Sequence, residues 1–365
     1  MSNPFTYSIF VDSNQITNIQ DVSMSLGRRQ VSDPFKAGTV VITGRNISAL
    51  PAVEIGMPFE LSITGGLPFP ADVFNGVVAD VSFTYGTVPN MDVWTISAED
   101  ALAEAGRSVV SASWLAGDGT FDAAEKLVNA TDNLSLNLLY FYNDSSTVSA
   151  QNLTNVNVLD VLNQLAFTEQ AVIASRNINQ INWNPRLGFT YDIPFLSFTD
   201  GSLTAETMFE YDFQDITFKA QADSFFTKTI IEPEGLNAQD SGTADRVYVR
   251  KSYDQTETQA QNLADYVQAT LEVSQEAPSF VRVLATSYNN LTNPVTAATQ
   301  YIFEKIPVEV ILRGSRFLCF VEGSTISATP TATYITLFLS SAEARNFFIL
   351  DSATFGVLNQ NRLGF

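Results

Sequence analysis

The sequence predicts a mainly β protein of the α+β class, in which two β-rich blocks bracket helix-containing segments. Three observations indicate this layout. Runs of β-branched and aromatic residues, separated by Gly, Pro and Asn turns, fill about the first 97 residues and return after residue 278. Between these blocks, apolar residues recur at helical spacing. The 27 Phe and 12 Tyr favour β packing, and 365 residues are enough for two or three domains.

The most distinctive signal in the first block is a β-hairpin over residues 26–46. Pro34 restricts φ and Gly38 permits a positive φ, which predicts a turn between two strands. Asn75 and Gly76 lie inside an alternating run, so we expect one bent strand there rather than a tight turn. The strands predicted in this block are residues 7–11, 22–26, 39–43, 59–63, 74–83 and 92–97.

Helices are predicted next, each behind a candidate capping residue. Residues 97–100 form a candidate capping box, Thr120 precedes a helix to about residue 130, and Asn157 precedes one over residues 158–171. The clearest helix spans residues 257–272, because its apolar side chains share one face. A β-rich stretch covers residues 172–231. The strands predicted for the second block are residues 279–285, 308–312, 316–321, 324–327, 334–339 and 347–350.

The composition excludes several classes of function. The chain has no His, which removes Ser-His-Asp and Cys-His nucleophile systems and His-based zinc sites. Cys319 is the one cysteine, so no intrachain disulfide is possible, and its apolar surroundings predict a buried thiol. No apolar run reaches the roughly 20 residues of a membrane span, and we see no signal peptide at the N-terminus.

The net charge of −20, from 19 basic and 39 acidic residues, argues against a protein that grips a phosphate backbone. Solubility alone explains this acidity. The same charge would also suit the wall of a pore through which DNA slides. The charge alone favours solubility over a pore wall.

Because His is absent, paired carboxylates are the remaining catalytic candidates, and each pair has a plain structural explanation. One pair lies at a helix N-terminus, one flanks a Pro turn and one lies on a polar strand face. The pairs are Glu99 with Asp100, Glu232 with Glu234, and Asp212 with Asp215. Asp118 or Asp122 could bind calcium, but their spacing matches no calcium-binding loop. We therefore expect neither an enzyme nor a metal or other cofactor.

Several short motifs resemble those of siphophage minor tail and hub proteins, in the order in which that family carries them. Residues 94–102 resemble a strand that leads into Ala-x-Asp-Ala-Leu, and residues 158–169 resemble a helix that ends in Glu. Residues 171–174, 183–186, 278–283 and 349–358 resemble later strands and the terminus of the family. The hairpin resembles a family segment with the pattern Asp-x-Phe-x-Ala-Gly-Thr, followed by a strand that ends in an Asn turn. The matching residues are Asp33, Phe35, Ala37, Gly38, Thr39 and Asn46, whereas Pro34 is unusual at its position.

The resemblance implies the fold of the contractile-phage baseplate hub, with two tail-tube-like antiparallel β-barrels and helix-containing insert domains. Residues 1–97 would form the first barrel, completed by strands from about residues 205–250. Residues 98–204 would form a helical and β insert, and residues 205–278 strands with the amphipathic helix. Residues 279–365 would form the second barrel block. Three copies of such a hub place six barrels in a ring, which adapts a six-fold tube to a three-fold tip.

The implied function is structural, at the distal end of the tail in the virion, after assembly in the host cytoplasm. The implied partners are further copies of the chain in a trimer, the distal tail protein ring, the tail tube and tape measure protein, and tip or fibre proteins. Viral DNA would pass through without specific binding. The chain stops soon after its second block, so we expect separate proteins at the tip.

Two alternative functions remain open, with a His-free glycosidase ranked below both. The first is a six-fold distal tail ring or another minor tail protein. The second is a carbohydrate-binding adhesin that stacks sugars on tryptophans, although such residues more often anchor cores. The tryptophans are Trp94, Trp114 and Trp183.

One basic cluster is a candidate docking surface. Its residues are Arg28, Arg29 and Arg45. The cluster is either a solvated rim of the hairpin or an inter-subunit contact with an acidic neighbouring ring.

Overall fold

The computed structural model describes residues 6–64, 71–87, 91–138, 146–185, 194, 196–205, 207, 209–218, 226–243, 246–274, 277–285, 294–295 and 297–342. The protein is mainly β, as the sequence predicts. The helices are α1 (Ala101–Arg107), α2 (Thr120–Val128), α3 (Val158–Glu169), α4 (Glu257–Ser274) and the short α5 (Ile302–Glu304), which continues a π-helical stretch, Ala297–Tyr301. Within these ranges, no helix has the length and hydropathy needed to cross a membrane.

The strands fall into two groups along the chain. Those before α3 are β1 (Thr6–Val11), β2 (Asn14–Ile16), β3 (Ile19–Gly27), β4 (Thr39–Arg45), β5 (Pro58–Thr64), β6 (Ala71–Thr84), β7 (Val93–Glu99), β8 (Val109–Trp114), β9 (Ser135–Leu138) and β10 (Gln151–Asn157). Those after it are β11 (Val172–Asn177), β12 (Gln180–Asn184), β13 (Leu196–Thr199), β14 (Phe209–Asp212), β15 (Asp215–Thr217), β16 (Lys228–Pro233), β17 (Gln239–Gly242), β18 (Val247–Ser252), β19 (Phe280–Ala285), β20 (Pro307–Leu312), β21 (Ser315–Ala328) and β22 (Thr333–Ser341).

The predicted hairpin and the predicted bent strand are both confirmed. β3 and β4 pair antiparallel, with Ser25 opposite Thr39. β6 passes Asn75 and Gly76 without a turn, and register shifts against β5 and β7 bend it. A Cβ at Gly76 would overlap the backbone of Glu99, so glycine permits the close approach of β7.

The two β blocks are joined in one continuous sheet. β3 of the first block pairs antiparallel with β21 of the second, from Val22 opposite Ala328 to Gly27 opposite Gly323. We refer to this pairing as the seam. The strand order is β14-β13-β20-β21-β3-β4-β7-β6-β5-β1-β2. A branch starts at β21, which also pairs with β22; β22 pairs in turn with β19, and β19 with β15. Among the described residues the sheet does not close into a barrel, so the two expected barrels stay a prediction.

The described strands between residues 205 and 250 pair outside the first block, although the resemblance implies that they complete its barrel. β14 pairs with β13, and β15 pairs with β19. β16, β17 and β18 form a separate sheet that packs on α4. At β3, the first block pairs instead with β21 of the second block. The predicted strand at residues 347–350 lies outside the described residues.

The helix caps differ from the predictions at two of three positions. Asn157 caps α3 as predicted, through its side chain. Asp100 caps α1 in place of Ser97, because β7 continues beyond that serine. Thr120 is the first residue of α2 and caps nothing; its buried hydroxyl donates to Glu169 Oε2 at 3.4 Å instead.

The loop between β3 and β4, residues 28–38, ties the sheet to its neighbours, and we refer to it as the strap. The N–H of Phe35 donates to Asn163 Oδ1 of α3 at 2.8 Å, and Asn163 Nδ2 donates to the Phe35 carbonyl at 3.1 Å. The Tyr248 hydroxyl of β18 donates to the Ser32 carbonyl at 3.2 Å. The strap therefore holds α3 and the β16–β18 sheet at the end of β3.

Candidate functional site

The outward face of the continuous sheet is lined by Ser and Thr. Side chains along a strand alternate between its two faces. In β3, Val22, Met24 and Leu26 are buried, whereas Ser23 and Ser25 are exposed. The same alternation continues on neighbouring strands, and it is visible in the sequence at residues 39–43 and 325–327.

Strand register brings these outward side chains into rows, and we refer to three rows together as the polar face. The first row is Glu99, Thr39, Ser25, Thr325, Thr336, Arg282 and Asp215. The second row is Asp80, Ser97, Val41, Ser23, Ser327 and Tyr334. The third row is Ser82, Thr95, Thr43 and Asp21. The polar face therefore crosses from the first block to the second without interruption.

The charges within the polar face are mostly negative. Four of its residues are carboxylates, namely Asp21, Asp80, Glu99 and Asp215. Arg282 is the one cation of the three rows, and its guanidinium lies 4.3 Å from the centre of the Tyr334 ring. A surface of hydroxyls with so little positive charge lacks the clustered cations that phosphate binding requires.

The three arginines of the predicted docking cluster do not come together. Arg28 and Arg29 follow β3, whereas Arg45 lies at the far end of β4, about 20 Å along the strand. Arg28 is engaged within the chain, since its Nη2 lies 2.8 Å from Glu322 Oε2 and its guanidinium lies 4.4 Å from the Phe35 ring centre. Arg29 and Arg45 are exposed. A docking role for these residues stays a prediction.

Glu99 and Asp100 serve separate structural contacts. Glu99 Oε2 lies 2.6 Å from Arg107 Nη1. Asp100 is buried and accepts hydrogen bonds from the N–H of Gly38 at 2.9 Å and of Leu102 at 3.0 Å. Burial raises the pKa of the Asp100 carboxyl to about 7, although these hydrogen bonds act in the opposite direction.

This carboxyl should make the stability of the protein depend on pH. Between about pH 4 and about pH 7 the folded state keeps the Asp100 proton while the unfolded state releases it. Stability should therefore fall as pH rises through this window, by up to about 1.4 kcal/mol per pH unit. We expect the free energy of unfolding of the wild type, minus that of Asp100→Asn, to decrease over the window. Chemical denaturation at several pH values measures this difference, and parallel pH curves for the two proteins would contradict it.

The other predicted carboxylate pairs lie on the surface. Glu232 is exposed near the end of β16, and Glu234 is exposed in the turn that follows. Asp212 and Asp215 are exposed on either side of the connection from β14 to β15. Each position agrees with the plain structural explanation given above.

The predicted calcium ligands are also accounted for by local contacts. Asp118 Oδ2 lies 2.5 Å from Lys126 Nζ, and this hydrogen bond lowers the pKa of Asp118. Asp122 lies in the first turn of α2. In the part of the chain that the structure describes, no group of three or more potential ligands is placed to hold a metal ion.

All three tryptophans are buried, as expected of core anchors. Trp114 packs edge-on against Tyr253, and Trp183 packs edge-on against Phe121. Trp94 belongs to the main core of the sheet. Their burial removes the observation on which the adhesin hypothesis depends.

Solved structures of other proteins share this fold, although no sequence comparison finds a relative. No family model matches the chain, and no curated protein sequence matches it significantly. The tail protein from Neisseria meningitidis MC58 is similar at a TM-score of 0.66 and 13% identity, over 93% of this chain and 96% of that one. The 43 kDa tail protein of prophage MuSo2 from Shewanella oneidensis is similar at a TM-score of 0.65 and 12% identity, over 93% and 99%.

A secretion-system component has a weaker likeness. The E. coli c3393 protein, which belongs to the type VI secretion system and is structurally similar to T4 bacteriophage tail proteins gp27 and gp5, is similar at a TM-score of 0.51 and 14% identity. The match covers 92% of this chain and 77% of that one. The chain therefore shares the fold of these phage tail proteins and, less closely, of the secretion-system component, which confirms the resemblance to phage tail proteins that its short motifs indicate.

Proposed function

We propose that the chain is a structural hub at the distal end of the tail of a tailed phage. Three copies would form a ring around the DNA channel, each contributing two tail-tube-like β units. The ring would join the distal tail ring, the tail tube and the tape measure protein to tip or fibre proteins. The polar face, which runs unbroken across both β blocks, is the observation that carries this proposal.

The chemistry of the polar face suits a wall along which DNA slides. Hydroxyl groups keep such a wall hydrated, and carboxylates repel phosphates. The net charge of −20 acts in the same direction. The opposite side of the same sheet packs the main hydrophobic core, so the polar face is the side turned away from the protein.

Strand segments with one partner each among the described residues would allow pairing between copies in a ring. β6 pairs with β5 only as far as Val77, and over residues 80–84 its described partner is β7 alone. β19 pairs with β15 over residues 280–282, and over residues 283–285 its described partner is β22 alone. Open edges accept further strands. Pairing between such segments of neighbouring copies would be head-to-tail, and head-to-tail association closes as a ring when the rotation between copies divides a full turn.

A cysteine placed on the polar face tests the channel. Cys319 is buried, so a thiol introduced at exposed Ser25 can be labelled selectively. We expect tails that carry Ser25→Cys to release DNA normally, and a bulky maleimide label to abolish most of that release. The control is Ser113→Cys, an exposed position on β8 of the insert. Equal DNA release from both labelled tails would contradict the proposal.

Copy number separates the hub from a six-fold ring or other minor tail protein, which could use the same fold. Quantitative mass spectrometry of isolated tails should find three copies of the chain per tail. Six copies would favour the ring protein, and tails without the chain would contradict both functions.

A further inference from the structure

The hairpin of β6 and β7 extends past its neighbours and carries exposed apolar side chains. We refer to the described part of residues 83–93 as the arm. Tyr85 is 74% exposed, Met91 61% and Phe83 44%. Phe83 lies opposite Trp94 on the inner side of the sheet and is exposed because no described strand continues beside it. Large apolar side chains exposed on one element indicate a contact with another molecule.

The two described sides of the arm are held together by contacts across the hairpin and at its base. The Gly86 N–H donates to Asp92 Oδ1 at 2.8 Å across the hairpin. A Cβ at Gly86 would lie 2.7 Å from Met91 Cβ, so glycine lets the two sides close together. At the base, Trp94 Nε1 donates to the Arg45 carbonyl at 3.1 Å. A preorganised arm loses little conformational entropy on binding, which favours affinity.

The arm lies at the end of the sheet that the insert leaves open. The strap, α1 and α3 attach where β4 begins and β7 ends, near Gly38 and Asp100. Arg45 and Val93 pair at the opposite end of the same strands, beside the arm. In the proposed ring, this end of the polar face is one mouth of the channel. A coaxial ring protein would pack against it.

We infer that the arm docks into an apolar groove of a ring-forming tail tube protein stacked on this mouth, an inference that rests on the proposed function. Aromatic residues, Met and Arg are enriched at the centres of protein interfaces. The arm and the adjacent, exposed Arg45 supply all three. Because Arg–carboxylate pairs are strong and directional, a carboxylate beside the groove would complement Arg45. An anionic membrane fits poorly, since it repels a chain of net charge −20.

Photo-crosslinking from the arm tests the partner. Benzoylphenylalanine replaces Tyr85 in the full chain, which is then assembled into tails, and the same replacement at exposed Leu236 is the control. We expect an adduct with a ring-forming tube protein from position 85 and not from position 236. An adduct between two copies of this chain would overturn the inference. An adduct with lipid, after irradiation with anionic phospholipid vesicles, would overturn it as well.

A second variant tests the arm without a probe. Tyr85→Ser with Met91→Ser removes the two most exposed apolar side chains of the arm and leaves its base intact. We expect unchanged unfolding and copy number, with at least about tenfold fewer complete tails. The matched control is Ile55→Ser with Leu115→Ser, since these two residues lie outside the arm and each is 72% exposed. A normal tail yield overturns this inference alone, whereas wild-type tails that lack the chain overturn the proposed function and the inference together.

Discussion

Replacing Gly44 by Val is expected to destabilise the first β block by about 3–5 kcal/mol, the range for losing a buried Trp. Gly44 lies opposite Trp94 in the β4–β7 pair, and a Cβ at Gly44 would overlap the indole ring. Trp94 is buried in the main core, so its ring has to leave that core and break its hydrogen bond to the Arg45 carbonyl. Urea unfolding followed by far-UV circular dichroism measures the loss.

The control substitution is expected to act in the opposite direction. Gly106 lies in α1, where a Cβ would make an ordinary 3.5 Å contact with Leu159, so Gly106→Ala should stabilise by up to about 1 kcal/mol. Gly44→Ala with Trp94→Leu should be more stable than Gly44→Val, because the smaller side chain leaves room for the Cβ. If Gly44→Val unfolds at the wild-type urea concentration, the packing of Trp94 on Gly44 is wrong.

The elements that the sequence predicts well are those with local causes. The β3–β4 hairpin is predicted from Pro34, Gly38 and a β-branched run, although Gly38 does not adopt the positive φ expected of it and instead lies against the Asp100 carboxylate, where a Cβ would not fit. The continuous β6 is predicted from the alternation that persists beyond Gly76. The long helix α4 follows from its apolar stripe, and it forms the core of its own unit with β16 and β18. In each case the residues that determine the element lie within it.

Strand pairing between distant segments is not contained in local patterns. The seam joins β3 to β21 across almost the whole chain, and no residue near Val22 signals a partner near Ala328. The same cause explains the shifted cap of α1. Pairing of β7 with β4 extends that strand to Glu99, so Asp100 rather than Ser97 starts the helix. Tertiary pairing overrides the local capping signal there.

The continuity of the polar face could not be predicted from the sequence. Alternating Ser and Thr in β3 and β21 predict that each strand has an exposed face. Only the register across the seam shows that these faces are one surface. The expectation that Arg28, Arg29 and Arg45 form one cluster was wrong for a related reason. Arg28 and Arg45 belong to the same hairpin, but they lie at opposite ends of its strands, which are about 20 Å long.

Glu322→Ala is the second large effect that we expect, at about 3–5 kcal/mol, because it leaves a buried charge unpaired. The side chain of Glu322 is 4% exposed and that of Arg28 is 12% exposed. Glu322 Oε2 accepts from Arg28 Nε at 2.8 Å, and its Oε1 accepts from the Ser340 hydroxyl at 2.5 Å. Without the carboxylate, the guanidinium of Arg28 and the hydroxyl of Ser340 both lose a partner.

A matched ion pair on the surface isolates the effect of burial. Arg107 Nη1 lies 2.6 Å from Glu99 Oε2, but the two side chains are 53% and 30% exposed. Glu99→Ala should therefore cost at most about 1 kcal/mol. Arg28→Met combined with Glu322→Leu should recover most of the stability that Glu322→Ala loses, since no charge is then buried. The double-mutant cycle of Arg28 and Glu322 measures the coupling between them.

The position of this ion pair at the seam makes its loss visible in cooperativity as well as in stability. The Arg28 N–H donates to the Glu322 carbonyl at 2.9 Å, directly beside Gly27 and Gly323, where the two β blocks are hydrogen-bonded. In calorimetry, we expect the two β blocks of Glu322→Ala to unfold at separate temperatures. In the double variant Arg28→Met with Glu322→Leu, we expect both blocks to unfold again in one transition. If Glu322→Ala instead lowers one unsplit transition, contacts outside the seam, such as the strap, couple the blocks.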